Sequence, residues 1–249
     1  MAKIGIIGGS GLEDPAILKS PEKTEVETPY GEPSSALTTG KIDDTDVVIL
    51  SRHGKKHTIP PTQVNNRANI YALKQMKCDY IISTTACGSL REDIERGDLI
   101  ILDQFIDFTR LRKISFFESF PPGDLKHTAM ADPFSGFIRD KLIESAKELG
   151  VKFHQQGTVV TIEGPRFSTR AESRMFKAWG ADVINMTIAP EAILANELEI
   201  PYGTIAMSTD YDCWKTDEEP VSWQEILKIF NQNVHNVLDL ILKTLPKLK

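Results

Sequence analysis

Five short segments carry residues that could do chemistry, and each follows an apolar run. Gly8-Gly9-Ser10-Gly11 follows 4–7, and Ser51-Arg52-His53-Gly54 follows 47–50. Thr84-Thr85-Ala86-Cys87-Gly88-Ser89 follows 80–83, Asn185-Met186-Thr187 follows Val183-Ile184, and Ser208–Asp212 follows 202–207. Glycines let a backbone approach a ligand, and their N–H groups can point at an anion. The first segment lacks the third glycine of a dinucleotide fingerprint, so a tight structural turn accounts for it equally well. Arg52 offers a planar fork and His53 a second donor, a pair suited to a dianion; a surface arginine beside a core histidine is the plainer reading. In an extended strand residues i and i+2 point the same way, so Asp210 and Asp212 can converge on one ligand edge. A metal-ligand pair or a solvated turn is the alternative there, and no clustered histidines or further acids complete a coordination shell.

These segments need elements to hold them. The stretch 158–187 reads as strand, turn, helix, strand: Val159, Val160 and Ile162 form an apolar β-branched run. Gly164-Pro165 ends it, Thr169 and Glu172 have capping-box spacing, and Gly180 closes the helix. Phe167, Ser168 and a helix N-terminus thus meet at one strand end, where ligands of α/β proteins sit. Further strands are expected at 4–7, 47–50, 80–83, 99–102 and 202–207, and helices at 66–76, 133–149, 190–198 and 222–245. The segment 84–89 reads as a hydroxyl-rich turn. The long segment 109–127, with Phe116, Phe117, Phe120 and Pro121-Pro122-Gly123, reads as a loop serving as lid, binding loop or subunit contact. Strands and helices alternate without repeats or linkers, which predicts α/β layers in a single domain, 1–249, with the five segments gathered at one sheet edge.

Bulk properties exclude several classes. The 249 residues are 41% hydrophobic and 26% charged, with a net charge of −6 and a pI near 5.5. That balance suits a soluble globular protein and argues against binding nucleic-acid backbone or an anionic membrane. Cys78, Cys87 and Cys213 are dispersed, with no CxxC, as expected of reduced thiols and not of a disulfide or zinc framework. No apolar run reaches the length of a signal peptide or membrane span; a soluble, cytoplasmic protein is expected.

The ordered set Gly-Gly-Ser-Gly-Leu (8–12), Arg-His-Gly (52–54), Thr-Thr-Ala-Cys-Gly-Ser-Leu-Arg (84–91), Asp-Gln-Phe-Ile-Asp (103–107), Thr-Ile-Glu-Gly-Pro-Arg-Phe (161–167), Gly-Ala-Asp-Val-Ile-Asn-Met-Thr (180–187) and Thr-Asp-Tyr-Asp-Cys-Trp (209–214) resembles the trimeric purine nucleoside phosphorylase family, in its methylthioadenosine-cleaving branch, over nearly the whole chain. The resemblance implies an α/β/α sandwich whose central mixed sheet is partly rolled into a barrel. It implies a homo-oligomer, a trimer or a dimer of trimers, and a metal-free, cofactor-free phosphorolysis of methylthioadenosine with phosphate as co-substrate. It places phosphate at Ser10, Arg52, His53, Thr85, Ala86 and Thr187, with no carboxylate beside the anion. It places the ribose at Met186, and the base at Phe167, Ser168, Asp210, Tyr211 and Asp212, with Asp210 as the acid that serves N7. The 5′ group falls to Trp223, Ile226 and Leu227, and to His127 reaching from a neighbouring subunit. Trp223 stands where family members carry a smaller aliphatic residue. Two competing readings are a sibling enzyme for 6-oxopurine nucleosides such as methylthioinosine, inosine or guanosine, and a non-catalytic nucleotide-binding module.

Overall fold

A computed structural model describes residues 2–8, 17–217 and 222–249, apart from the side chains of residues 223, 225 and 232. The backbone forms a mixed sheet between helices. Its centre is β1 (Lys3–Gly8), β4 (Thr45–Ser51), β5 (Tyr80–Ser89) and β11 (Tyr202–Asp210), all parallel and ordered β4-β1-β5-β11. Side chains in these strands alternate between two cores, as the period of two requires. Ile4, Ile6, Val47 and Ile49 face α2 (Gly136–Leu149) and α5 (Trp223–Thr244), meeting Ile138, Leu142, Phe230 and Ile241. Ile7, Val48 and Leu50 face α1 (Asn66–Gln75) and α4 (Ile188–Glu197), meeting Ile70, Leu73, Ile188 and Ala192. The expected α/β/α layering is therefore present.

β5 is where the sheet branches. Its first residues pair with β1, up to Ile7 opposite Ser83. Its last two pair antiparallel with β10 (Val183–Asn185), at Gly88 and Ser89. β11 runs along its other edge, from Ile81 to Gly88. Among the described residues the edge at Thr84–Cys87 has no ladder partner on the β1 and β10 side. The parallel order is interrupted there, the kind of switch point beside which α/β proteins place their ligands. From β10 the sheet continues through β9 (Thr158–Ile162) to β7 (Gln104–Phe108), and from β11 through β6 (Leu99–Ile101) to β8 (Phe153–His154).

Several expectations are corrected. Residues 84–89 are not a turn: they continue β5, because β11 satisfies their backbone on one side. β11 likewise runs past Met207 to Asp210, and α4 starts two residues before Pro190. β2 (Lys19–Thr24) and β3 (Leu37–Ile42) pair antiparallel on the outer edge. The side chains of β2 are nearly all exposed, so no buried face writes an alternation into its sequence. The capping box of α3 (Arg170–Ala178) is present in both directions: Thr169 Oγ1 accepts from Glu172 N–H, and Glu172 accepts from Thr169 N–H. Gly150 ends α2 in the left-handed region, at φ 66°. No described helix is long and apolar enough to cross a membrane.

Candidate active site

One cleft, about 990 Å³ counting its open mouth, lies against the unpaired edge of β5. Thr84, Thr85, Ala86, Cys87 and Gly88 form its floor; Arg52 and His53 enter from the end of β4, and Met186 and Thr187 from the end of β10. Thr209, Asp210 and Asp212 close it from β11, Phe167 and Ser168 from the loop before α3, and Ile226, Leu227 and Phe230 from α5. Residues from six distant segments converge because five of them lie at strand ends or near helix starts around the gap beside the sixth, the second half of β5.

The cationic end is more elaborate than the sequence suggests. Arg52 is 2% exposed. Its Nε donates to Glu191 Oε1 at 2.5 Å and its Nη2 to Glu191 Oε2 at 3.0 Å. Nη2 also donates to Ser83 Oγ (2.6 Å) and Nη1 to the Thr84 carbonyl (2.9 Å). The Nε/Nη2 edge of the fork expected to grip an anion is thus occupied by a carboxylate of the protein itself, that of Glu191, which lies behind Arg52 and does not line the cleft. A buried arginine needs such a partner, since an isolated charge cannot be desolvated cheaply; the partner lies 139 residues away in sequence.

His53 lies against Ile59, with Nδ1 2.9 Å from its carbonyl oxygen. A carbonyl only accepts, so Nδ1 carries the hydrogen and Nε2 of the neutral ring is an acceptor. Burial, and next the Arg52 charge, lower the His53 pKa to about 4, so the ring is neutral at pH 7. It stacks on His57 with centroids 4.4 Å apart. Thr85 Oγ1 lies 2.9 Å from the Ala86 carbonyl and accepts from Asn185 Nδ2 at 3.3 Å; Thr161 in turn donates to Asn185 Oδ1. Thr187 is the N-cap of α4, yet its buried Oγ1 has no hydrogen-bond partner among the described residues. A buried, unpartnered hydroxyl at a helix N-terminus suits an anion, which that helix end attracts.

The acidic end is built by a bulge and a turn. The β11–β5 register shifts between Ser208 and Asp210, which sets Asp210 opposite Gly88; bulges commonly re-aim side chains beside active sites. Asp212 is not the next same-face residue of a strand, as i, i+2 spacing implies. It lies beyond the strand at φ 48°, and its N–H donates to Asp210 Oδ1 at 2.7 Å. A turn, not strand alternation, brings the two carboxyls together. Thr209 Oγ1 donates to Asp210 Oδ2 at 2.8 Å. Burial raises the Asp210 pKa to about 6 against these hydrogen bonds, with the Asp212 charge adding to the rise. Burial also raises Asp212, opposed by the nearby Ser173 and Ser168 hydroxyls. Among the described residues, Asp212 Oδ2, Ser168 Oγ and Ser173 Oγ are buried without a hydrogen-bond partner. These buried polar atoms leave hydrogen-bonding capacity open at this end of the cleft.

Glycine is required for room here. A Cβ on Gly88 would stand 2.9 Å from Asp210 Oδ1. At Gly164, φ is +67° and a Cβ would stand 2.5 Å from Met186 Sδ. Phe167 is 41% exposed, a ring at the rim with a free face.

The remaining expected residues fall elsewhere. Tyr211 does not line the cleft; its ring packs near Trp214, with Lys215 Nζ 4.1 Å from its centroid. His127 is exposed, 5.9 Å from the Phe120 ring, and does not line this chain's cleft. Ser10 and the Trp223 side chain lie outside the described residues. The cleft also holds Asn185 and Thr209, which belong to the quoted segments without an assigned role, and His57 and Phe230, which carry no local motif. Phe230 follows Ile226 by four residues on one helix face, a spacing that could have flagged it.

The model of the phosphorylase superfamily matches residues 3–246. The chain belongs to this superfamily. Within it, the chain is 54% identical to S-methyl-5′-thioadenosine phosphorylase of Danio rerio over 248 residues, covering 99% of this chain and 89% of that one. It is 47% identical to the same-named protein of Thermofilum pendens (strain DSM 2475 / Hrk 5), over 99% and 92% of the two chains. Methylthioadenosine phosphorylase from Schistosoma mansoni in complex with adenine superposes with a TM-score of 0.94 at 42% identity, over 100% and 92%. A mutant of the Schistosoma mansoni adenosine/methylthioadenosine phosphorylase in complex with methylthioadenosine superposes with a TM-score of 0.92 at 41% identity, over the same shares.

Proposed function

We propose that the protein cleaves S-methyl-5′-thioadenosine by phosphorolysis, giving adenine and 5-methylthioribose 1-phosphate. The observation that carries this reading is the pair of buried carboxyls with raised pKa, Asp210 and Asp212, in one cleft with a buried arginine and the unpartnered Thr187 hydroxyl. One end suits a purine edge and the other an anion.

Phosphate is assigned to Arg52, His53, Thr85, the Ala86 N–H and Thr187, with Ser10 as a further contact. Neutral His53 accepts the hydrogen of monohydrogen phosphate at Nε2, while Thr187 donates. A phosphate oxygen attacks C1′ of the ribose as the C1′–N9 bond breaks, passing through oxocarbenium character that the anion below the ring stabilises. Met186 packs on the ribose. Ile226 and Leu227, with Phe230, provide the apolar wall for the methylthio group, and Trp223 belongs to the same helix start. The purine stacks on Phe167. Its leaving electron pair is neutralised by a proton at N7, and Asp210, whose raised pKa of about 6 holds a proton nearer to neutrality than an ordinary carboxyl, supplies it. Asp212 accepts from the 6-amino group. A 6-oxopurine presents an acceptor there and would leave buried groups unpaired, at about 1–3 kcal/mol each, so the adenine-type substrate is favoured over inosine, guanosine or methylthioinosine. Phosphate is the sole co-substrate in this scheme, with neither metal nor organic cofactor. His127 serves a neighbouring subunit's cleft in a homotrimer or dimer of trimers, and the compartment is the cytoplasm.

The test is a panel of methylthioadenosine, adenosine, methylthioinosine and inosine, each with and without phosphate. Phosphate-dependent release of adenine, with methylthioadenosine preferred, is expected. Hypoxanthine release from inosine at an equal or greater rate would assign the sibling activity, and no base release at all would leave a nucleotide-binding module.

A further inference from the structure

Glu191 is a carboxylate buried with no solvent contact, in the first turn of α4. It accepts four hydrogen bonds and donates none: from Arg52 Nε and Nη2, from Ser83 Oγ at 3.0 Å and from Tyr202 OH at 2.8 Å. All four contacts fill acceptor positions of the carboxylate, two of them from the Arg52 guanidinium. Two consequences follow. The two-pronged edge of Arg52 is turned to Glu191, so Nη1, which donates to the carbonyl of the cleft residue Thr84, is the nitrogen that Glu191 does not engage. And the guanidinium charge is matched at contact distance by an opposite charge, while the neighbouring His53 is neutral. The same helix start also carries Thr187, so one element sets both the unpartnered hydroxyl and, through Glu191, the cation.

We infer that Glu191 is a positioning residue of the anion subsite: it presents Arg52 end-on to phosphate and limits the positive charge that phosphate meets. The inference rests on the phosphate assignment above and adds what sets the strength of that contact. A fully charged arginine in a dry pocket would hold any divalent anion tightly and indiscriminately. With Glu191 in place, selection falls to neutral groups, and an anion that brings its own hydrogen for His53 Nε2 is favoured over sulfate, which has none.

Glu191→Gln separates charge from shape. The amide keeps the volume and can still accept from Arg52 Nε. The Tyr202 and Ser83 hydroxyls can reverse to accept from its NH₂, and one bond, that from Nη2, is lost. We expect Glu191→Gln to bind inorganic phosphate about tenfold more tightly by calorimetry, and sulfate more tightly by at least as much, from removal of a nearby negative charge. The KM for phosphate should fall, the KM for the nucleoside should stay within about twofold, and kcat should fall as the guanidinium loses its clamp. Tyr202→Phe keeps the charge and loosens the anchor. It should weaken phosphate binding about two- to fivefold without improving sulfate, and it serves if Glu191→Gln does not fold. A phosphate Kd and sulfate inhibition unchanged from wild type in a folded Glu191→Gln would overturn the inference, as would an unchanged phosphate Kd in Tyr202→Phe. Direct anion binding is readable without turnover. Absence of adenine release by the wild type therefore overturns the proposed function alone, whereas unchanged anion affinity in the variants overturns the role of Glu191 alone.

Discussion

Replacing Asp210 by Asn should stabilise the protein at neutral pH while it impairs the reaction. The carboxyl is 8% exposed, and its pKa rises from 3.8 to about 6 on folding, mainly through burial. The folded state therefore holds a proton that the unfolded state releases between those values. Stability from this group is fully present below pH 3.8, falls as pH rises through about 6, and then stays lost. The rise corresponds to about 3 kcal/mol. Asn carries no ionisation to suppress, and the local bonds can survive the exchange. Asp212 N–H still meets a carbonyl oxygen at the Oδ1 position. Thr209 Oγ1, which also lies 3.2 Å from the Cys87 carbonyl, can donate there and accept from the new amide. Urea denaturation of wild type and Asp210→Asn from pH 4 to pH 8 should give nearly equal stabilities at the acid end. A gap of about 3 kcal/mol in favour of the variant should open by pH 7. Comparing two proteins that differ at one group cancels the other titrations. Meanwhile kcat/KM for methylthioadenosine should drop about 10²- to 10⁴-fold, the usual contribution of a general acid. A stability gap that does not change across this pH range would refute the account of Asp210 as a buried carboxyl with a displaced pKa.

His53 should show the opposite sign: its folded pKa of about 4 lies below the ordinary histidine value of 6.5, so stability is present above pH 6.5 and is lost as pH falls through 4, by about 3 kcal/mol. Wild type should lose that amount relative to His53→Gln over the window, and the ring carbon shift followed by NMR should remain that of a neutral imidazole down to about pH 5. Gly88→Ala should displace the Asp210 carboxylate, whose Oδ1 would lie 2.9 Å from the new Cβ; steady-state assays should show a larger loss in kcat/KM than thermal melts show in stability. Arg52→Ala should cost about 3–5 kcal/mol in urea denaturation because it strands the buried Glu191 charge, and adding Glu191→Ala should recover part of that loss; a double variant no more stable than the single one would contradict the pairing as the cause.

Local chemistry in the sequence determined the elements that a short window can encode. Continuous apolar runs in 4–7 and 47–50 dictate strands buried on both faces, and the Thr169–Glu172 spacing dictates where α3 begins. Gly150 and Gly180 mark helix ends, since both adopt the positive φ that side chains disfavour. Strand ends bearing Arg52-His53, Met186-Thr187 and Asp210 were legible for the same reason, since buried runs give way to polar groups; Thr85-Ala86 was legible as a polar segment but lies inside β5. Tertiary structure alone decided what those groups face. The open edge of β5 exists because β1 stops at Ser83 and β10 starts at Gly88, a fact about three distant segments. β2 is a strand only because β3 lies beside it. Asp212 reaches the cleft through a turn after the bulge in β11, not through strand periodicity. Glu191 reads in the sequence as a polar residue in the apolar first half of a helix, and its partner is 139 residues away. Periodicity and caps act over a few residues and leave a local trace; charge pairing and desolvation act through space, so only the folded chain reveals which carboxylate holds which cation and which hydroxyl is left without a partner.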